Sequence, residues 1–316
     1  QAGKRLPLRF ELKDLDARND RLSIRYGDIF KVELDRTRNA TAHREIKRGN
    51  IVLGKVTDAP VRDGIWITGQ LPYFALQGWS GWSSLPDREG VLPNIAGIDV
   101  SVDTVHGYGS ALNALRIRGS ARNGLISTRL NAREVNGDLI WQPQDEGKLF
   151  VRLKHLMLGE RADVVVGKPL PDAPPTVAEA ISMPEVDLVV DQLTWQGRQL
   201  GKLEMSMDDV EGDAVLKRLQ LTNPDGVVNI GGRWRPVQGE TELSARIEIT
   251  DAGRILARSG YPESLSGGGG LLLSELRWHG APDAFDFPSL NGKLQLTTGK
   301  GRFLQVDPGA AKLLGV

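Results

Sequence analysis

The sequence has no cysteine among its 316 residues, which removes disulfides, thiolate metal sites and cysteine nucleophiles together. That absence suits a cytosol and a periplasm equally. Net charge is missing as well: 40 Lys and Arg balance 40 Asp and Glu, so no field draws the chain to nucleic acid. The histidines are few, His43, His106, His155 and His279, and none stands in a metal spacing such as H-E-x-x-H. No run approaches the roughly 18 apolar residues of a membrane span, and QAGKRLPLRF lacks the apolar centre of a signal peptide. Helical periodicity is scarce too.

What the sequence has in quantity is alternation. KLFVRLK puts Leu149, Val151 and Leu153 on one face, EVDLVVD does so with Val186, Leu188 and Val190, and KLEMSMD with Leu203, Met205 and Met207. Val32 and Leu34, Ile65 and Ile67, Val100 and Val102, Leu115 and Ile117, Leu219 and Leu221, Leu243 to Ile249, and Leu294 and Leu296 continue the period. Period two means β-strand, and ARNG, VNGD, NPDG and LNGK read as the turns of an antiparallel sheet. One short helix is expected in TDAGRILARSG, capped by Thr250 or Asp251, and another is launched by Asp307 and Pro308 but stops at Val316. Five prolines in residues 167–184 mark a connector, and SLSGGGG at 264–270 a second flexible point.

The chain repeats itself. VDTVHGYGSALNALRI and VDQLTWQGRQLGKLEM align Asp103 with Asp191 at an offset of 88, together with Gly109 and Gly197, Leu112 and Leu200, and Leu115 and Leu203. VNGDLIWQP and VNIGGRWRP then align Trp141 with Trp234 at an offset of 93, and WITGQLP and LRWHGAP are weaker echoes. Sheet built by repetition is quasi-one-dimensional.

Chemistry is hard to find. Asp99 and Asp103 share a strand face but flank Val100 and Val102 in plain alternation, and Asp208 and Asp209 are neighbours without a cleft to serve. SGGGG and TTGKGRF lack the spacing and the following helix of a phosphate loop. Residues 36–50, with Arg36, Arg38, Arg44, Lys47 and Arg48, read as charges that blunt a sheet edge, or as a contact for anionic headgroups or an acidic partner. Trp141, Trp234 and Trp278 sit at equivalent strand ends, where packing and a membrane-facing rim are both open.

The last fifty residues resemble a known family. GYP at 260–262 and the string GRFLQVDPGAAKLLG, carried by Gly301, Phe303, Leu304, Val306, Pro308, Gly309, Ala310, Lys312, Leu313, Leu314 and Gly315, resemble the C-terminal part of the AsmA-like family, in its YhdP-type branch. The resemblance is good over 183–316 and fainter upstream. It implies a mainly β protein with a long, curved, mostly antiparallel groove-like sheet of the β-taco type and a few short helices. Such proteins are periplasmic, anchored in the inner membrane, and carry phospholipid between inner and outer membranes without catalysis or a cofactor. Membrane contact would come through segments absent here, since the family's N-terminal transmembrane helix and the continuation after KLLG have no counterpart, which marks a piece of a longer protein. Envelope protein partners are also implied.

The organisation read from these signals is a β-rich segment over 1–90, assigned by continuity, a first clear repeat over 91–166, a Pro-rich connector over 167–182, and the second repeat with the family-like C-terminal region over 183–316. A sheet with one apolar face must cover it with helices, a second sheet or something other than protein. The lining expected for a lipid groove is Leu149, Val151, Leu153, Val186, Leu188, Val190, Leu203, Met205, Met207, Leu219, Leu221, Val228, Ile230, Leu243, Ala245, Ile247 and Ile249. The alternative is a closed β-sandwich or solenoid that binds a protein or glycan through its loops.

Overall fold

A computed structural model describes residues 7–39, 44–54, 63–75, 95–107, 110–143, 147–159, 184–258, 265–282, 284–299 and 301–303. Among them the protein is mainly β, an open sheet architecture of mixed strand direction that does not close into a barrel. Contacts divide the chain into two units, residues 1–144 and 145–316.

In the first unit, β1 (Leu8–Asp14), β2 (Asn19–Tyr26), β3 (Phe30–Arg38), β4 (Arg44–Gly54) and β5 (Gly64–Ala75) are followed by β6 (Ile95–Gly107), β7 (Ser110–Arg122), β8 (Leu125–Asn131) and β9 (Val135–Gln142). Each pairs with the next in chain order. The second unit runs β10 (Lys148–Leu158), β11 (Glu185–Trp195), β12 (Arg198–Val210), β13 (Asp213–Asn223), β14 (Gly226–Arg235) and β15 (Glu240–Ile249). Then α1 (Ala252–Arg258) and β16 (Leu265–Gly267) intervene before β17 (Gly270–His279) and β18 (Asn291–Thr298), while β19 (Gly301–Phe303) pairs with β16. The main sheet again follows chain order, passing from β15 to β17.

Hairpins make most pairings antiparallel, but β4–β5, β5–β6 and β10–β11 are parallel, which corrects the plain antiparallel default. Parallel neighbours need a crossover rather than a turn. The Pro-rich connector, residues 167–182, lies outside the described residues, as does the helix expected after Asp307. Helix α1 forms where TDAGRILARSG predicts one, and Asp251 is its cap: its Oδ1 accepts the Arg254 N–H at 3.0 Å.

Two expected turns are strand. Asn136, Gly137 and Asp138 belong to β9, where Gly137 is buried opposite Leu130. Asn291, Gly292 and Lys293 open β18, and a Cβ on Gly292 would stand 2.0 Å from the Glu275 carbonyl oxygen. At Gly292 the glycine serves a close approach rather than a reversal. WITGQLP likewise lies inside β5 and closes no unit. Its Pro72 falls beyond Gln70, the last β4 partner, where a missing N–H breaks no ladder bond on that side.

The repeat survives as geometry. Asn123 and Gly124 close the β7–β8 hairpin with φ of 53° and 77°, and Glu211 and Gly212 close β12–β13 with 58° and 85°, again 88 residues on (211 − 123). Two consecutive positive φ angles are the turn that matches strand twist. The slip from 88 to 93 falls where β13 has 11 residues and β8 only 7.

Candidate functional site

Strand register brings all seventeen expected lining residues to one face of the second unit. Val151, Leu188, Met205, Leu219, Ile230 and Ala245 are successive cross-strand partners, and so are Leu153, Val190, Leu203, Leu221, Val228 and Ile247. A third row joins Leu149, Val186 and Met207 to Leu243 through Leu216 and Gly232, and Ile249 stands one step on, opposite Gly226. Direct partners share a face, so the rows are continuous apolar stripes across the strands.

Sequence reasoning stopped these rows too early. Leu272, Leu276, Leu294 and Leu296 carry them across β17 and β18. Leu271, Leu272 and Leu273 form an unbroken run in which alternation is invisible. The first unit has its own face, with Phe10, Ile24, Val32, Ile51, Ile67 and Ile98 as one row.

These residues lack the burial of a closed core. Of the seventeen only Leu153 and Val190 are buried, at 6% and 0%, and the others are half-buried. Leu294 and Leu296 at the sheet's end are 65% and 52% exposed. A half-exposed Leu or Val has about 1 kcal/mol of burial still to gain, so the face is stabilised by whatever apolar matter covers it.

The opposite face is polar and internally paired. Arg152 meets Asp187 at 3.1 Å, Arg246 meets Glu248 at 2.8 Å, Arg233 meets Asp213 at 3.2 Å, and Arg277 pairs with Glu242. The Arg235 hydrogen bond holds the Glu242 carboxyl below its ordinary range against a smaller push from burial. Two hollows of about 620 and 630 Å³ open among β13, β14, β15, β17 and β18, walled chiefly by polar-face groups such as Arg218, Asn229, Arg246, Glu275 and Arg277. Leu243 and Leu276 also line the first, and Ile230 and Ala245 the second.

Irregularities place the side chains where alternation alone fails. Lys217 is an extra residue in β13 relative to both neighbours: Met207 faces Leu216, while Ser206 faces Arg218. Ala214 and Leu216 therefore share the apolar face with Leu219 and Leu221 despite opposite parity. The repeated aspartates mark another break, since Ala114 in β7 and Gly201 in β12 have positive φ opposite the Asp103 and Asp191 regions. Buried residues straddle it three apart, Val102 with Val105 and Val190 with Leu193.

Each strand end is closed differently. Trp234 and Trp278 flank Thr241 on one row, Thr241 is fully buried, and its hydroxyl donates to the Gly280 carbonyl at 2.7 Å. At the other end Ile255 of α1 packs over Gly226, and the Asp225 carbonyl accepts the Thr250 and Asp251 N–H groups. In the first unit Glu134 is fully buried, which pushes its carboxyl up. The Asn113 backbone and side-chain amides at 2.7 and 2.8 Å, with Arg133 at 2.9 Å, outweigh this and hold it below its ordinary value.

The basic stretch is largely neutralised. Asp20 binds Arg36 at 2.7 Å and Arg44 at 2.9 Å, and Asp35 binds Arg21 at 2.6 Å and Arg48 at 2.7 Å. Hydrogen bonds from Arg21, then Arg48, keep the Asp35 carboxyl low against burial. Asp99 lies at 3.3 Å from Arg118, and Asp103 accepts from Gln70 at 3.2 Å. Among the described residues no group of three His, Asp or Glu gathers as for a metal, and no helix is long and apolar enough to cross a membrane.

Comparison with curated proteins and with solved structures returns no match. At the level of families the result is definite. The YhdP protein family model matches residues 1–316, and the chain therefore belongs to the YhdP family of bacterial envelope proteins, to which a role in lipid transport is assigned at family level.

Proposed function

We propose that the apolar face holds the acyl chains of phospholipids and conducts them between inner and outer membranes, without catalysis. The observation that carries this reading is the set of three apolar rows: the one from Leu153 through Val190, Leu203, Leu221, Val228, Ile247 and Leu272 to Leu296 is unbroken across eight strands, the other two are interrupted only by Gly232, Ser274 and Gly292, and most of their side chains are only half-buried. Rows two residues apart lie roughly 7 Å from each other, so three span about 14 Å, a width suited to a diacyl lipid. Headgroups stay at the strand ends in water, because burying a charged headgroup without partners costs several kcal/mol.

Each methylene against the face contributes roughly 0.8 kcal/mol, and the next strand offers the same contact. A row of equal shallow sites lets a chain slide without a deep trap. The opposite face, with Arg, Asp and Glu paired across it, carries only scattered apolar residues such as Val189, Val215 and Leu273 and no apolar row to follow.

The test is native mass spectrometry of the purified chain with lipid extraction, repeated on Met205→Asp and Leu188→Asp. Co-purified phospholipid that both substitutions remove, with the circular dichroism spectrum kept, is the expected result. Outright unfolding of Met205→Asp would mean a closed core at that strand, since an unpaired charge would then be buried.

A further inference from the structure

One apolar feature lies beyond the rows, at the strand ends that carry Trp234 and Trp278. The β14–β15 turn and the β17–β18 loop form a joint tip: the Gly280 N–H donates to the Gly239 carbonyl at 2.8 Å. On it Phe287 is 77% exposed and Val237 66%. The tip is braced from below. Trp278 is buried, its indole N–H donates to the Ala281 carbonyl at 3.2 Å, its ring meets Phe285 at 5.0 Å, and Phe285 meets Phe287 edge-on at 4.9 Å. Ser289 further ties the loop, accepting from the His279 N–H at 2.9 Å and bonding Asp286.

An apolar pair held rigidly in water is a prepaid contact: little entropy is lost when it is covered. Charge decides the occupant. Immediately behind the tip stand Arg233, Arg235 and Arg277 with Asp213, Glu240 and Glu242, three of each sign and interlinked. Every one of these six stands within three residues of its strand's end, so at about 3.3 Å per residue the collar is a band within roughly 10 Å of the strand ends, the depth of a headgroup layer when apolar side chains reach the acyl boundary. A balanced collar suits zwitterionic headgroups, and Asp286 on the loop adds no attraction for anionic ones.

We infer that this tip is a bilayer contact, in which Phe287 and Val237 enter the interface of a zwitterionic membrane while the ion-paired collar lies among the headgroups. The inference rests on the tip's exposure and charge, independently of what occupies the apolar rows.

The chain has no cysteine, so Val237→Cys and, at the opposite strand ends, the exposed Arg198→Cys each give a unique site for an environment-sensitive dye. On phosphatidylcholine–phosphatidylethanolamine vesicles the Val237 dye should brighten and shift to the blue and the Arg198 dye should not. Added salt should leave the response unchanged, and phosphatidylglycerol should not raise it. Phe287→Ser should lower the vesicle partition coefficient about tenfold, with co-purified phospholipid unchanged. No response at Val237, an equal response at Arg198, or a response that salt abolishes overturns the inference. So does a lipid-free dimer that Phe287→Ser dissolves, which would assign the tip to a second copy. Met205→Asp should keep the Val237 response, so failure of the acyl-chain reading and failure of the tip are told apart.

Discussion

At the scale of single residues, the sheet is held at its margins by a few buried carboxylates rather than by a deep core. Glu134 is fully buried and accepts from both amides of Asn113 and from Arg133, and truncating it removes these charge-assisted bonds and leaves a gap where the carboxylate stood. Glu134→Ala should therefore cost about 2–4 kcal/mol in urea unfolding, against less than about 1 kcal/mol for the exposed Arg129→Ala. Asp35, Glu134 and Glu242 all have carboxyl groups held below their ordinary values. Their contribution is complete above the ordinary carboxylate range, near pH 4, and is lost as pH falls through the lower folded-state values. Urea midpoints should stay level from about pH 7 to 5 on account of these groups and drop below about pH 4. Midpoints that rise on acidification would contradict the assignment. Gly212 occupies φ of 85°, and Gly212→Ala should cost about 1–2 kcal/mol with the rows intact.

At the scale of elements, β13 shows how one extra residue decides a face. Without Lys217 either Ala214 and Leu216 or Leu219 and Leu221 must turn to the polar side. Deleting Lys217 should cost roughly 3 kcal/mol and speed amide exchange in β12, β13 and β14, whereas Lys217→Ala should do neither. This strand also shows what was legible. Leu219 and Leu221 were readable from period two, because each segment of a strand on one side of a bulge alternates faithfully. The bulge itself was not, since LKR carries no turn residue, and the parallel pairings were not, since period two is blind to strand direction. Among the site residues, β10 to β15 could be read from alternation, while Leu272 was hidden in a leucine run. The Phe287 tip lay in a loop with no period at all.

At the scale of the whole molecule, both units pair their strands in the order of synthesis, so strand contacts join elements that are neighbours along the chain. Stability in such sheets is a sum of neighbour terms rather than one cooperative quantity. Native-state hydrogen exchange should accordingly be graded, slow in β11 to β14 and fast in β1 and β18, which are exposed along their full lengths. A single protection level throughout would refute this. Sequential pairing also makes the site extensible. Every strand adds about 4.8 Å to the apolar rows. An antiparallel hairpin adds two and returns the chain to the same strand end, facing the same way. Under the proposed function, chain length is then a ruler: the gene would set the distance an acyl chain travels by counting hairpins, and a longer path would need no new kind of site.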